Sequence, residues 1–242
     1  MKPYIVCLMM TSPDGSLHPS RWTKSPDGAR SDWSKLYEQV HAQHRGDAWM
    51  VGRVTMAEIS KAGPHPPSAP YHVARDHHFA GKDAASFAIA IDRSGKLHFN
   101  GSELYGDHVI VLLGSGVPDS HLAELAADGV SYIVSPTDEI DARAMLEVLN
   151  TEYRIERILL EGGAAINGSF LAEGLVDELS FIVAPALEAR RGSDRVVEFG
   201  EEGLAGKIEL SLIASEPLSH GAVHLRYKVM QPPIEHPATI RS

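Results

Sequence analysis

Two short stretches of this 242-residue chain bring glycine, cation, hydroxyl and carboxylate together at spacings that can hold an anion. The first is Leu159-Leu160-Glu161-Gly162-Gly163-Ala164-Ala165-Ile166-Asn167, where an apolar run ends on a carboxylate, two glycines follow and a helical pattern begins. A strand, a glycine turn and a helix N-terminus aim unpaired N–H groups and the positive end of the helix dipole at one spot. The missing side chains at Gly162 and Gly163 let a phosphate or a ring approach the main chain. The second stretch is Met50-Val51-Gly52-Arg53-Val54-Thr55, another apolar strand that stops at a glycine before a helix. Arg53 offers a planar fork suited to phosphate, and Thr55 either caps the helix or contacts a phosphate oxygen. Each stretch alone is also compatible with an ordinary helix start. Their pairing points to a cofactor site.

The elements that must position these residues follow from hydrophobic periodicity. Short apolar runs alternate with amphipathic stretches, the pattern of an α/β sheet flanked by helices. Strands are expected at 4–10, 48–52, 86–91, 108–113, 131–134 and 155–161, and helices at 29–44, 55–61, 120–127, 142–152 and 164–173. Asp119 and Asp141 suit helix starts, and Gly129 suits a stop. After Gly174 three strands, at 178–187, 207–216 and 222–230, follow without helices between them, which predicts antiparallel additions to one sheet edge. Such an exposed edge needs covering, so a homodimer is expected.

Together the two glycine loops resemble those of dihydrofolate reductase and its relatives. The closer resemblance is to the C-terminal reductase domain of the bacterial riboflavin-pathway deaminase–reductase. It is carried by Lys2-Pro3-Tyr4-Ile5 leading to Ser12-Pro13-Asp14-Gly15, by Ser20-Arg21-Trp22-Thr23-Lys24-Ser25, and by Glu161-Gly162-Gly163 followed by Gly174-Leu175-Val176-Asp177-Glu178-Leu179. The resemblance implies a dihydrofolate-reductase-like three-layer αβα sandwich over residues 1–231, with a mixed central sheet, antiparallel C-terminal strands and a tail at 232–242. It implies an NADPH-dependent oxidoreductase of riboflavin-biosynthesis type, acting on a small heterocycle such as a ribosylamino-pyrimidine. No deaminase module precedes the domain, so a monofunctional reductase is expected.

By the same resemblance Met10 and Thr11 offer backbone contacts to the nicotinamide carboxamide. Gly52, Arg53, Val54 and Thr55 would cradle the pyrophosphate together with Gly162, Gly163, Ala164 and Ala165. Arg93 and Ser94 stand where relatives contact the adenosine ribose phosphate, hence NADP rather than NAD; they also fit a plain turn, Asp92-Arg93-Ser94-Gly95. On the substrate side the resemblance places Asp14, Ser20, Trp22, Glu58 and Glu161, with Glu161 and Trp22 as the catalytic candidates. Trp22 either stacks on a planar ring or plugs the core, and Glu161 either binds substrate or accepts loop N–H bonds. Two departures stand out. Leu8 replaces a first-strand lysine, and Glu58 and Ile59 occupy the region where an aspartate follows the phosphate-binding threonine. They bear on a phosphoribosylamino substrate and leave the cofactor loops untouched. Alternatives are a dihydrofolate or pterin reductase using Asp27 or Asp32, and a non-catalytic NADP-binding protein.

Composition narrows the classes further. A formal charge of −10 argues against a general nucleic-acid binder, which leans on a basic surface. No apolar run approaches the ~20 residues that span a bilayer, and no signal-peptide-like region is visible. The lone cysteine, Cys7, excludes an internal disulfide and reads as a buried small hydrophobe of a cytoplasmic protein. Thirteen histidines include His72, His77 and His78, which could cover a substrate pocket. Without a His-Glu-x-x-His pattern or cysteine ligands, no metal is expected.

Overall fold

The computed structural model describes residues 1–67, 73 and 75–232; the expected tail beyond Pro232, and His72, lie outside them. The chain runs β1 (Tyr4–Thr11), α1 (Arg30–His44), β2 (Ala48–Gly52), α2 (Arg53–Ser60), β3 (His77–His78), β4 (Phe87–Ile91), β5 (Glu103–Leu104) and β6 (Asp107–Leu113). It continues through α3 (Asp119–Ala127), β7 (Ser131–Val134), α4 (Ala142–Tyr153), β8 (Arg157–Leu160), α5 (Ala164–Ala172), β9 (Glu178–Val183), β10 (Glu209–Pro217) and β11 (Val223–Met230). One sheet takes the order β10-β11-β9-β1-β8-β2-β4-β6-β7-β3, with β5 paired to β6.

Period-two alternation builds the layers. In β1, Val6 and Leu8 point to one face, where Trp33, Leu36 and Val40 of α1, Met56 of α2 and Leu122 and Leu125 of α3 pack. Ile5 and Cys7 point to the other, against Met145, Leu146 and Leu149 of α4 and Phe170 and Leu171 of α5. Strands buried on both faces need continuous apolar runs, and 5–9, 109–113 and 158–160 are such runs. Cys7 sits in this interior as expected, and burial pushes its thiol up to about 12.

The mixed αβα sandwich agrees with the expected fold class. One strand runs opposite to expectation: β9 is parallel to β1, because α5 carries the chain across the sheet between β8 and β9. On this side of the sheet antiparallel pairing begins at β11, which lies between β9 and β10. The His77-His78 pair forms β3, antiparallel to Tyr132 and Ile133 at the far edge of the sheet.

The feature that positions the site is an unequal strand overlap. β1 pairs with β9 up to Thr11↔Val183 but with β8 only up to Cys7↔Leu160. Residues 8–11 therefore have a sheet neighbour on one side only, next to the turn that begins at Glu161. Across that turn, the segment around Val196 and Glu198 is fastened to α5. Asn167 Nδ2 donates to Val196 O at 2.7 Å, and Glu198 N donates to Ala164 O at 3.0 Å. A Cβ on Gly168 would meet Glu198 O at 2.0 Å. Gly168→Ala is expected to destabilise the fold by ~1–3 kcal/mol, read from urea midpoints. Gly63→Ala, which has open space around it, should leave the midpoint in place. Equal midpoints for both variants would show that the 196–199 segment is not docked on α5.

Candidate active site

The two glycine loops meet. A Cβ built on Gly52 would stand 2.5 Å from Ile166 Cδ1 and 3.8 Å from Gly162 O, and one on Gly162 would stand 3.4 Å from Thr55 Oγ1. Gly163 caps α5 with φ +90, a conformation that L side chains avoid. The N-cap residues Gly52 and Gly163 provide no capping side chain to α2 and α5, so among the described residues the first-turn N–H groups of both helices are left for another acceptor. Arg53 is exposed and carries no ion pair among the described residues. Two uncapped helix starts, a free guanidinium and glycine-lined walls fit the phosphates of a dinucleotide.

Glu161 joins this seat to a cleft of about 440 Å³ on the α1 side of the sheet. Tyr37, Glu38 and His41 of α1 line one wall, Ile59 of α2 another, Trp49 of β2 the floor, and Tyr105 and Asp107 the far rim. Strand alternation turns Glu161 this way: Leu159, two residues earlier, faces the same α1 side. The Glu161 carboxylate, with only 12% of its side chain exposed, lies 2.7 Å from His41 Nδ1. That hydrogen bond raises the pKa of His41 against the opposing pull of its partial burial. Trp49 Nε1 donates to Asp107 Oδ2 at 2.7 Å, and Ser86 Oγ donates to the other Asp107 oxygen. Tyr37 donates to Leu8 O at 3.4 Å, and burial followed by the nearby Glu161 charge pushes its phenol well up. The cleft thus offers a flat indole, a paired imidazole and carboxylate, and a second carboxylate.

A model of the RibD C-terminal domain matches residues 3–223. The chain belongs to that family. The expected kinship with the riboflavin-pathway reductase domain is borne out, and an oxidoreductase is the family's class of enzyme. No curated protein matches the chain. Among solved structures it is similar to a pyrimidine reductase-like protein from Corynebacterium diphtheriae, with 21% identity, 95% of this chain and 93% of that one covered, and a TM-score of 0.67. Acinetobacter baumannii RibD aligns at 20% identity and a TM-score of 0.64, over 95% of this chain but 58% of that longer one. The riboflavin biosynthesis reductase Rib7 of Saccharomyces cerevisiae aligns at 17% identity and 0.60, over 95% of this chain and 90% of that one.

Within this RibD C-terminal domain the expected site residues fall into groups. Gly52, Arg53, Val54, Thr55, Gly162, Gly163, Ala164 and Ala165 come together as one seat, and Met10 and Thr11 lie beside it on the end of β1 that pairs with β9 but not with β8. The Thr11 hydroxyl is already engaged, donating to Ser12 O or Ser16 O. Arg93 and Ser94 lie at the end of β4; Arg93 is exposed and pairs with Glu139. Asp14 accepts from Ser12 Oγ and, at 2.7 Å, from Ala189 N, so it ties the 12–23 loop to the 184–195 loop. Those bonds, the Ser12 one foremost, lower its pKa. Trp22 stands 6.0 Å from the Trp33 ring and donates to Ser16 Oγ at 3.4 Å. Ser20 is exposed on a short 3₁₀ turn.

Of the expected substrate-side residues, only Glu161 lines the cleft. Glu58 is exposed on α2, and the next residue, Ile59, faces in. Asp27 and Asp32 do not line the cleft either; the Asp32 carboxylate accepts from Ala29 N at the start of α1. His77 and His78 stack on Phe79 and Tyr132 rather than over the cleft. Sequence reasoning missed Tyr37, His41, Trp49 and Asp107. The available signal was on α1, where Tyr37 and His41 sit four apart, bordering the apolar stripe of Trp33, Leu36 and Val40.

The His41–Glu161 pair has a defined pH signature. Because the folded-state pKa of His41 is raised, the pair's stabilisation is complete below the unfolded value near 6.5 and fades as pH climbs through the raised one. Imidazole NMR titration should place His41 above its ordinary value, and Glu161→Gln should bring it down. A His41 titration that ignores this substitution would contradict the pairing.

Proposed function

We propose that this chain is an NADPH-dependent reductase whose hydride acceptor is a small nitrogen heterocycle of the ribosylamino-pyrimidine class. The observation that carries the reading is the double role of Glu161. Its main chain opens the glycine turn, and its carboxylate enters the adjoining cleft in contact with His41. The names of the structural neighbours, a pyrimidine reductase-like protein and a riboflavin biosynthesis reductase, support the same class of acceptor.

Gly52 to Thr55 and Gly162 to Ala165 would hold the pyrophosphate, Met10 and Thr11 the carboxamide by their main chain, and Arg93 with Ser94 the ribose phosphate. When bound, the nicotinamide nucleotide supplies a hydride. The protein's own part is to stack the heterocycle on Trp49, orient its polar edge with Glu161 and Asp107, and supply a proton. His41 is suited to that last task, since the adjacent carboxylate favours its protonated form. Leu8 is fully buried and Ile59 is apolar, so the charged groups found there in the riboflavin enzyme are replaced by hydrocarbon. The acceptor is therefore read as carrying less anionic charge than a phosphoribosylamino-pyrimidine.

The edge strand β10 exposes Leu210, Leu212 and Ile213. An apolar edge of this kind is covered in a homodimer, the assembly we assign to the protein. Sedimentation at micromolar concentration should give the dimer mass, and monomer alone would exclude it.

NADPH oxidation screened against pyrimidine and pterin acceptors tests the catalytic reading. Glu161→Gln and His41→Gln should each lower kcat by roughly 10²-fold or more with NADPH affinity preserved, and the wild-type rate should fall as pH rises past the raised His41 pKa. Turnover unaffected by either substitution would overturn the site assignment. Arg93→Ala should shrink the preference for NADPH over NADH by about tenfold, the scale of one charge-assisted phosphate contact. An unchanged preference would remove Arg93 from the cofactor site.

A further inference from the structure

Away from the cleft, α3 presents a second set of ligand-type side chains. His121, Glu124 and the C-cap residue Asp128 follow at intervals of three and four, so they stack along one side of the helix. Two histidines from other segments face them: His98 from the stretch after β4, and His65 from the stretch after α2. His98 Nδ1 lies 2.6 Å from Glu124 Oε1. His65 Nε2 lies 3.7 Å from the same oxygen and 3.0 Å from Asp128 Oδ2. The His98 and His121 rings meet edge to face with centroids 5.3 Å apart. Donor atoms of His98, His121 and Glu124 all fall within 4.8 Å of one another, as do those of His65, Glu124 and Asp128.

His121 distinguishes this cluster from a plain ion-pair network. The residue is 6% exposed, and its Nε2 is buried with no hydrogen-bond partner among the described residues. A buried ring nitrogen is costly to leave without a partner, and the His121 ring supplies one of the grouped donor atoms. Packing does not explain the placement, because Leu122 and Leu125 already carry the contacts of α3 with the core. None of the five residues lines the cleft.

We propose that His98, His121 and Glu124 form a binding site for a divalent transition-metal ion of the zinc type, with His65 or Asp128 completing the coordination. Two nitrogens and a carboxylate oxygen suit such an ion, and bonds of about 2.1 Å at tetrahedral angles set donors ~3.4 Å apart, within the spread present. Binding at His98 Nδ1 uses the lone pair of the neutral ring, whose single proton then sits on Nε2. The ion would staple α3 to the 96–99 segment and to the 61–67 segment. The latter starts just beyond α2, whose first turn carries Arg53 and whose Ile59 lines the cleft. The ligands come from three separate segments at 65, 98 and 121–128. No compact motif announces them, which is why sequence spacing predicts no metal.

The test uses the full-length, untagged chain stripped with chelator. Titration with Zn(II) by calorimetry and with Co(II) by visible absorption should show one equivalent bound, with tetrahedral Co(II) bands and a raised Tm. His121→Asn, His98→Gln and Glu124→Gln should each weaken binding at least about tenfold, whereas the edge-strand variant His77→Ala/His78→Ala should not. Thermal melts without metal identify which variants fold, and the shape-conserving Glu124→Gln carries the test if His121→Asn does not. Absence of Zn(II) uptake, or uptake indifferent to His98→Gln and Glu124→Gln, overturns the proposal.

Discussion

The arrangement depends on how closely two backbone turns approach each other. Gly52 ends β2 under Ile166, where a Cβ would press on the Ile166 side chain at 2.5 Å, and Gly162 follows β8 against Thr55. That contact is possible only because β2 and β8 are direct neighbours in the sheet, paired from Ala48↔Ile158 to Met50↔Leu160. Adjacent parallel strands deliver adjacent helix N-termini, so α2 and α5 start side by side and both lack capping side chains. An anion accepting from both starts would receive N–H groups and dipole ends that no capping side chain engages among the described residues. The same geometry places the last carboxylate before the turn, Glu161, at the edge of the cleft under α1.

Much of the scaffold is legible in the sequence because it rests on local patterns. The runs in β1, β6 and β8 are apolar on both faces, and helices α3 and α4 begin where Asp119 and Asp141 stand. The direction of β9 was not legible in the same way. A strand's sense depends on whether the connection returns the chain to the end of the sheet where the previous strand began, and α5 makes that return in only nine residues with apolar character all round. The short strands β3 and β5 are two residues each, too brief to carry a period.

The site divides along the same line. Residues in turns with a special backbone, such as Gly163 at φ +90, announce themselves because glycine adopts that conformation without strain. Residues that act by reaching across from another element do not. His41 meets Glu161 across 120 positions of chain, and Trp49 meets Asp107 across 58. Asp14 and Trp22 illustrate the converse: they belong to recognisable motifs, yet their contacts here build the 12–23 loop and its seam with the 184–195 loop. The His65, His98 and His121 grouping, too, is created by tertiary packing alone.

The central claim is that the paired glycine turns form a single dinucleotide seat, and calorimetric titration of the purified protein with NADPH tests it most directly. The account predicts micromolar binding by the wild-type chain, weakened at least about tenfold by Gly162→Val, which places a branched side chain where Thr55 and the phosphates must share space. Absence of NADPH binding, or binding of equal strength to Gly162→Val, would contradict it and leave the chain with the fold of its family but not the cofactor site.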